Sequence, residues 1–272
     1  MAQAQRWYRP SLTFLSILGG IALILFSVYM WGFQAVMYVQ LRQESKKLAI
    51  LNYVPEEIAP VEPSNAKGVT LTSRGFAFEA PWNDLNLEKS KSIGTWAIFA
   101  FNSGLSVTFC TPSTVGADLR DVVAKEFGGD RKKLEVVFGK DQTSSEYAFH
   151  KALLNTTTAN VKPWKSSAQV ARAGMMLMFK ATSSVGGESG LYKVTANGWR
   201  GFQFDDPLKK ANQVALELYD PEGGHVEIVL TVRKGASNPP TQSEINRILL
   251  SLHRTRARDT LTPKETEKVA AN

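Results

Sequence analysis

A long segment without any charged residue, close to the N-terminus, constrains this chain more than any other feature. No charge occurs between Arg9 and Arg42, and the stretch from Leu12 to Met30 is almost entirely apolar. About 20 such residues suffice to cross the hydrocarbon core of a bilayer as a helix. The sequence therefore predicts a single-pass transmembrane helix at residues 11–40, preceded by a short tail at residues 1–10.

The residues around this segment predict that it stays attached as a signal-anchor. Trp7 and Tyr8 precede it and Tyr38 lies near its other end, which are positions that aromatic rings prefer at a bilayer interface. No small-residue cleavage site follows it, so we expect no removal. The lipid bilayer is thus a predicted partner. Basic residues on the two flanks nearly balance and leave the orientation open. A very short N-terminal tail favours an exported, extracytoplasmic C-terminal domain.

Small residues within the segment suggest a second membrane contact. Ser16 and Gly20 are four positions apart, with Gly19 adjacent, a spacing that lets another helix approach closely. The alternative interpretation is that glycine is simply common in membrane helices.

The positive charge lies outside the part of the chain that is expected to fold. The net charge is +7, of which residues 1–47 carry +4 and residues 253–272 carry +2, leaving +1 for the rest. A nucleic-acid-binding domain normally carries a basic face, so no nucleic-acid partner is expected. Cys110 is the only cysteine, which excludes an intrachain disulfide.

Composition divides the remaining chain into three parts. Residues 41–68 read as a juxtamembrane helix followed by a linker that is rich in proline, since proline fixes the backbone and lacks a donor. Residues 69–253 alternate between strand and helix patterns and form the predicted globular domain. Residues 254–272 are polar and charged and read as a disordered tail.

The predicted fold class is α+β, with an antiparallel sheet flanked by helices after the transmembrane helix. Asn197–Gly198 favours a two-residue hairpin turn, because both positions accept positive φ. Capping boxes predict three helix starts, and the last of these helices is expected to pack on the sheet. The boxes are Thr143 with Glu146, Ser166 with Gln169, and Thr241 with Glu244.

The segment "ELYDPEGGHVE" predicts a β-hairpin that carries three titratable side chains. A turn at Asp220–Gly223 pairs Tyr219 with His225 and Glu217 with Glu227. Like charges in opposition are unfavourable. Glu217, His225 and Glu227 would therefore either gather a metal or a shared proton, or remain on a solvated hairpin face. A single histidine is few for zinc or iron, so the hairpin interpretation is preferred and no cofactor is expected.

Other candidate residues give weaker signals. Trp199 and Arg200 follow the Asn197–Gly198 turn and could line a recognition surface, although such aromatics often cover a core. His150 lies within a predicted helix and is expected at the surface or partly buried. The chain contains no nucleophile-elbow, zincin, Walker or dinucleotide-binding motif, so an enzyme is not predicted.

The order of the elements resembles a known family. "GFAFEAPW" near the start, with "LELYDPEGGHVEIVLTV" before "TQSEINRILLSLHR", resembles the PsbP-like α/β/α sandwich over about residues 69–253. The resemblance implies an accessory or assembly factor of a larger complex, without enzymatic activity. The resemblance supplies no functional residues. The chain also departs from the family pattern in its predicted anchor and in the long insertion between Ala117 and Lys180.

These observations predict a membrane-anchored accessory or assembly subunit that contacts other subunits of a membrane complex. A tethered domain that binds a small ligand is the first alternative. An anchored metal-dependent or hydrolytic enzyme using Glu217, His225 and Glu227 is the second. An apolar patch near the anchor would favour the accessory or assembly subunit. A pocket at Trp199, Arg200 or the methionines would favour the ligand-binding domain.

Overall fold

The computed structural model describes residues 32–111, 119–162, 164–183, 189–209, 212–233, 236 and 239–255. The helices are α1 (32–44), α2 (Leu119–Lys125), α3 (Arg131–Phe138), α4 (Lys140–Thr143), α5 (Glu146–Asn155), α6 (Ser167–Ser183) and α7 (Gln242–Ser251). The strands are β1 (Glu56–Glu57), β2 (Val69–Ser73), β3 (Phe76–Ala80), β4 (Leu85–Ile93), β5 (Trp96–Phe101), β6 (Leu105–Cys110), β7 (Leu191–Ala196), β8 (Trp199–Phe204), β9 (Gln213–Tyr219), β10 (His225–Val232) and β11 (His253–Arg254).

The strands form two sheets. The large sheet has eight strands in the order β1-β7-β8-β9-β10-β6-β5-β4, and the small sheet has the order β11-β3-β2. Every pairing is antiparallel except that of β1 with β7. The fold is therefore α+β with a mixed sheet, whereas the sequence predicted an antiparallel one. β1 has only two residues, which are too few to predict a strand from residue alternation, so its parallel pairing with β7 was not expected.

The large sheet is covered on both faces. One face packs against α7 and the small sheet, and the residues of β9 and β10 that point there are Val214, Leu216, Leu218, Val226, Ile228 and Leu230. The other face packs against the layer of helices that includes α2, α3, α5 and α6. Since successive residues of a strand point to opposite faces, β9 and β10 are buried on both sides.

Several local predictions are confirmed. The β9–β10 register pairs Tyr219 with His225 and Glu217 with Glu227, and Gly223 has φ +87°. Asn197 and Gly198 both have positive φ, as a type I′ turn requires. The capping boxes at Thr241 and at Ser166 are present. These signals depend on contacts within a few residues, which is why the sequence alone reveals them.

The predicted capping box of Thr143 with Glu146 is wrong. Ser145 caps α5 by accepting a hydrogen bond from the backbone of Ala148, while Thr143 ends the separate helix α4. The Glu146 side chain instead accepts from the backbone N–H of Leu119, at the start of α2. The Glu146 side chain, which the local pattern assigned to the cap, therefore makes a tertiary contact with α2 instead.

The predicted transmembrane helix is also wrong. Among the residues that the structure describes, no helix is long and apolar enough to cross a membrane. The described part of the predicted span, residues 32–40, belongs to α1, and Arg42 and Glu44 follow it in the last turn of this helix. This finding overturns the single-pass topology, the membrane localisation and the exported domain. Residues 11–31 of the predicted span lie outside the described residues, as do Ser16, Gly19 and Gly20.

The segment between α1 and β2 belongs to the packed structure. Ile50 and Leu51, which precede the predicted linker, are buried against the helical layer. Glu56 and Glu57 then extend the large sheet as β1. The residues from Val61 to Ala66 lie along α7, where Arg247 donates hydrogen bonds to the backbone carbonyls of Ser64 and Ala66.

Candidate functional site

A cluster of polar side chains lies between the β9–β10 hairpin and α5. It consists of Glu217 and Tyr219 of β9, His225 and Glu227 of β10, and His150 of α5, and we call it the polar cluster. Glu217 is 7% exposed and His150 is 3% exposed. The solvated hairpin face predicted from the sequence is thus wrong, because the helical layer covers it. His150 is likewise buried, contrary to the expectation of a surface or partly buried position.

One ring nitrogen of His150 contacts two members of the polar cluster. Its Nδ1 lies 2.6 Å from the Tyr219 hydroxyl oxygen and 2.9 Å from Oε2 of Glu217. The contact with Glu217 has the distance of an ion pair but not the alignment of a hydrogen bond. A carboxylate that close is stabilised only when Nδ1 carries a proton. Nε2 of His150 is buried and has no hydrogen-bond partner among the described residues.

Glu227 is the second carboxylate of the polar cluster, and its protonation depends on the same neighbours. Burial and, to a smaller extent, the negative charge of Glu217 raise the pKa of Glu227, His150 opposes this increase, and the resulting pKa is about 7. Two carboxylates on one buried face cannot both ionise at low cost unless a cation accompanies them. The polar cluster therefore binds a proton near neutral pH, and Glu227 is its main acceptor.

The polar cluster contains residue types that can bind a metal, but the described residues do not arrange them as a metal centre or beside an activated nucleophile. Among the described residues, no group of three histidine, cysteine or acidic side chains could hold a metal. Cys110 pairs with Glu227 across β6 and β10 and is buried. Burial and the charge of Glu227 raise the pKa of its thiol to about 11. Since the thiolate is the nucleophile, the thiol is inert at neutral pH.

Trp199 and Arg200 do not form one surface. Trp199 is buried in the core beside α7, where its ring lies 5.9 Å from that of Phe76. Arg200 is exposed on the opposite face of β8, with its guanidinium 4.3 Å from the centre of the Tyr147 ring. Neighbouring strand residues point to opposite faces, so the predicted pair is divided between two layers.

The hairpin turn itself is held by the C-terminal strand. Oδ1 of Asp220 accepts a hydrogen bond from the backbone N–H of Gly224 at 2.6 Å. Oδ2 of Asp220 accepts from Nε of Arg254 at 2.7 Å, so β11 is tied to the β9–β10 turn. The carboxylate at this position has a structural role.

Asp220→Ala is expected to reduce the free energy of unfolding by about 2 kcal/mol, because it removes a turn hydrogen bond and a charge-assisted one from a buried position. Urea denaturation monitored by fluorescence measures the change. Glu222→Ala is the matched control, since this carboxylate lies in the same turn, is exposed and is 3.7 Å from Arg254. It is expected to cost less than about 0.5 kcal/mol. Equal effects of the two substitutions would contradict the assignment.

A different feature lies on α1, which is apolar on two faces. Met37, Tyr38 and Leu41 pack against α6, and the Met37 methyl lies so close to Gly174 that a Cβ there would be only 2.6 Å away. On the other side, Phe33, Val36 and Val39 are 51–56% exposed. We call these three residues the exposed α1 face. These residues belong to the charge-free stretch, whose hydropathy alone predicts a membrane span.

A groove of about 380 Å³ lies at the β7 edge of the large sheet. Its walls are the segment from Glu57 to Glu62 and the side of α7 that carries Asn246, Leu249 and Leu250. Residues 193–196 of β7 form its floor. Neither Trp199 nor Arg200 lines this groove, and neither do the methionines.

Comparison of the sequence with protein-family models, curated proteins and solved structures found no match.

Proposed function

We propose that this protein is a non-enzymatic accessory or assembly subunit of a larger protein complex, and that it contacts its partner through the exposed α1 face. The observation that supports this proposal is the exposure of Phe33, Val36 and Val39 by about half on a helix that already buries its opposite side. A helix at the surface of a soluble domain normally presents polar residues to water. An apolar stripe on that side favours a second packing partner.

The geometry of the stripe favours an apolar helix of another protein as that partner. Phe33, Val36 and Val39 are spaced three residues apart, so they form one ridge along the helix. No charged side chain interrupts the ridge, since the first charge of α1 is Arg42. A ridge of this kind packs between the side-chain rows of an uncharged helix of the partner. Burying each valine of the ridge in this contact contributes about 1.5–3 kcal/mol to the free energy of binding.

The two alternative functions have less support. The ligand-binding alternative predicted a pocket at Trp199, Arg200 or the methionines, and none of these residues lines the groove at the β7 edge. The hydrolytic or metal-dependent alternative needs an activated nucleophile, or further metal ligands that converge with Glu217, His225 and Glu227. The described residues of the polar cluster provide proton binding and no such group.

Val36→Asp is expected to abolish partner binding while it leaves the fold intact. The substitution places a carboxylate in an apolar contact, which costs several kcal/mol and weakens the affinity at least ~100-fold. Because Val36 is exposed, the stability of the isolated protein should change by less than about 0.5 kcal/mol. A photo-crosslinking amino acid at position 36 of the full chain in its native cells identifies the partner, and light scattering of the purified complex gives its stoichiometry.

Val136 provides the matched control, because it is a valine on α3 that is 84% exposed and distant in sequence from α1. A crosslinker at position 136 should give no defined adduct, and Val136→Asp should leave the complex intact. A defined adduct at position 36 that maps to a helix of a second protein, lost with Val36→Asp, is the expected result. Adducts only with a second copy of this chain, or none at all, would overturn the proposal.

A further inference from the structure

The groove at the β7 edge combines an open strand edge with an apolar floor. β1 pairs with β7 only at Tyr192 and Lys193, and the chain then turns away from the sheet at Ile58. Beyond this point, residues 194–196 of β7 have no neighbouring strand among the described residues on their outer side. An edge of this kind presents main-chain donors and acceptors to any extended chain that approaches it.

The backbone groups that face outward can be identified from the hairpin. The two-residue turn at Asn197–Gly198 makes Ala196 and Trp199 a hydrogen-bonded pair, so Ala196 and Val194 direct their N–H and C=O groups toward β8. Thr195 therefore directs its N–H and C=O away from β8. Its position follows the last β1 rung, at Lys193, and lies on the floor of the groove.

The side chains that surround this edge select for particular chemistry. Val194 and Ala196 meet Leu249 and the half-exposed Leu250 of α7 in an apolar strip. Glu57 is paired with Lys193 at 3.1 Å. Glu62 also lines the groove and forms no ion pair within the described part of the chain, so the groove retains one uncompensated negative charge.

We propose that this groove binds an extended peptide segment of a partner protein, which adds to the outer edge of β7 and carries alternating apolar and basic residues. The backbone of the segment pairs with Thr195, its apolar side chain lies on Val194 and Leu249, and its basic side chain meets Glu62. This is the strand-addition mode of peptide recognition, in which main-chain hydrogen bonds give affinity and alternate side chains give specificity. The site is separate from the exposed α1 face, so its test does not depend on the proposed function.

The probe is a fluorescein-labelled hexapeptide of alternating valine and lysine, titrated with the full-length protein at about 150 mM salt, where long-range attraction is screened. Anisotropy should show saturable binding. An alternating valine–glutamate hexapeptide and the Glu62→Lys variant should each weaken binding at least ~10-fold, since both place like charges together. At saturation, hydrogen exchange of the Thr195 amide should slow at least ~10-fold, because the added strand occupies its N–H.

The control variant is Glu88→Lys, which makes the same charge change at an exposed position of β4, on the other edge of the large sheet. It should bind the lysine peptide like the natural protein. Absence of binding, equal binding of the two peptides, or equal effects of Glu62→Lys and Glu88→Lys would overturn the proposal. Binding that leaves the exchange of the Thr195 amide unchanged would overturn it as well.

Discussion

Replacing Lys180 with methionine is expected to reduce the free energy of unfolding by about 3 kcal/mol. Lys180 lies in the last turn of α6 and is fully buried. Its Nζ donates to the backbone carbonyls of Tyr53, Leu154 and Thr156 at 2.6, 2.7 and 2.9 Å. Methionine has a similar shape but no donor, so the three carbonyls would lose the hydrogen bonds from Lys180 in a buried to partly buried site.

The lysine joins three segments of the helical layer. Leu154 and Thr156 lie at the end of α5, where the last carbonyls of a helix lack partners within the helix. Tyr53 belongs to the segment between α1 and β1. Burial lowers the pKa of Lys180 to about 8, which shows that desolvation of the ammonium group offsets part of the stabilisation. For this reason we expect a loss of about 3 kcal/mol and not the sum of three charged hydrogen bonds.

Chemical denaturation at pH 7 measures the loss, and hydrogen exchange of the α5 and α6 amides shows where it occurs. Lys151→Met is the control, because Lys151 is an exposed lysine of α5 next to His150. It should change the stability by less than about 0.5 kcal/mol. If Lys180→Met were no more destabilising than Lys151→Met, the role of Lys180 as a link between the three segments would be refuted.

Replacing Glu227 with glutamine is expected to remove a pH dependence of stability between about pH 4.5 and 7. The pKa of Glu227 is about 7 in the folded protein, against 4.5 for the ordinary group. Between these values the folded state binds a proton that the unfolded chain has released. The stability therefore falls as the pH rises through this window, by about 3 kcal/mol in total at 1.36 kcal/mol for each unit of pKa.

The sign follows first from the burial of Glu227 and then from the groups that it faces. Glu217 lies opposite it on β9, and His150 of α5 lies above the pair, while Cys110 of β6 adds no charge. Below pH 4.5 the glutamic acid and a glutamine are both neutral, so the two proteins should have similar stability. At pH 8 the variant should be more stable by about 3 kcal/mol, because it buries no second carboxylate.

Urea denaturation at intervals from pH 4 to 8.5 provides the measurement for both proteins. Glu88→Gln, at an exposed position on β4, is the control, and its stability curve should run parallel to that of the natural protein. A Glu227→Gln curve that also runs parallel would show that the polar cluster does not exchange a proton in this range.

The hairpins and several helix ends were predictable because their signals are local. Apolar residues alternate along β9 at Val214, Leu216 and Leu218, and along β10 from Val226 to Leu230. This alternation specifies the register of the two strands, since a slip of one residue would turn the apolar side chains to the other face. The turn residues and the box of Thr241 with Glu244 act within four positions. The helices α3 and α4 were not predicted, because eight and four residues are too few to define a helical period.

The polar cluster was only half predictable. Glu217, His225 and Glu227 were identified as neighbours from the turn. His150 is separated from Tyr219 by 69 residues and comes from another layer, so no spacing rule connects it to the hairpin. The same limit applied to the long apolar segment, where hydropathy alone predicted a membrane span. Packing of Met37 and Leu41 on α6 shows that its described end belongs to the folded domain.

By itself, the sequence determined the alternating strands, the Asn197–Gly198 and Asp220–Gly223 turns and the start of α7, because each depends on backbone preferences over a few residues. Only the tertiary structure decided that a helical layer covers the hairpin, that Lys180 is buried and that one side of α1 remains exposed. Burial is a property of segments that meet from distant parts of the chain. The residues that neighbour a charged side chain in the sequence can be the same whether that side chain is exposed at the surface or buried in a core that supplies its partners.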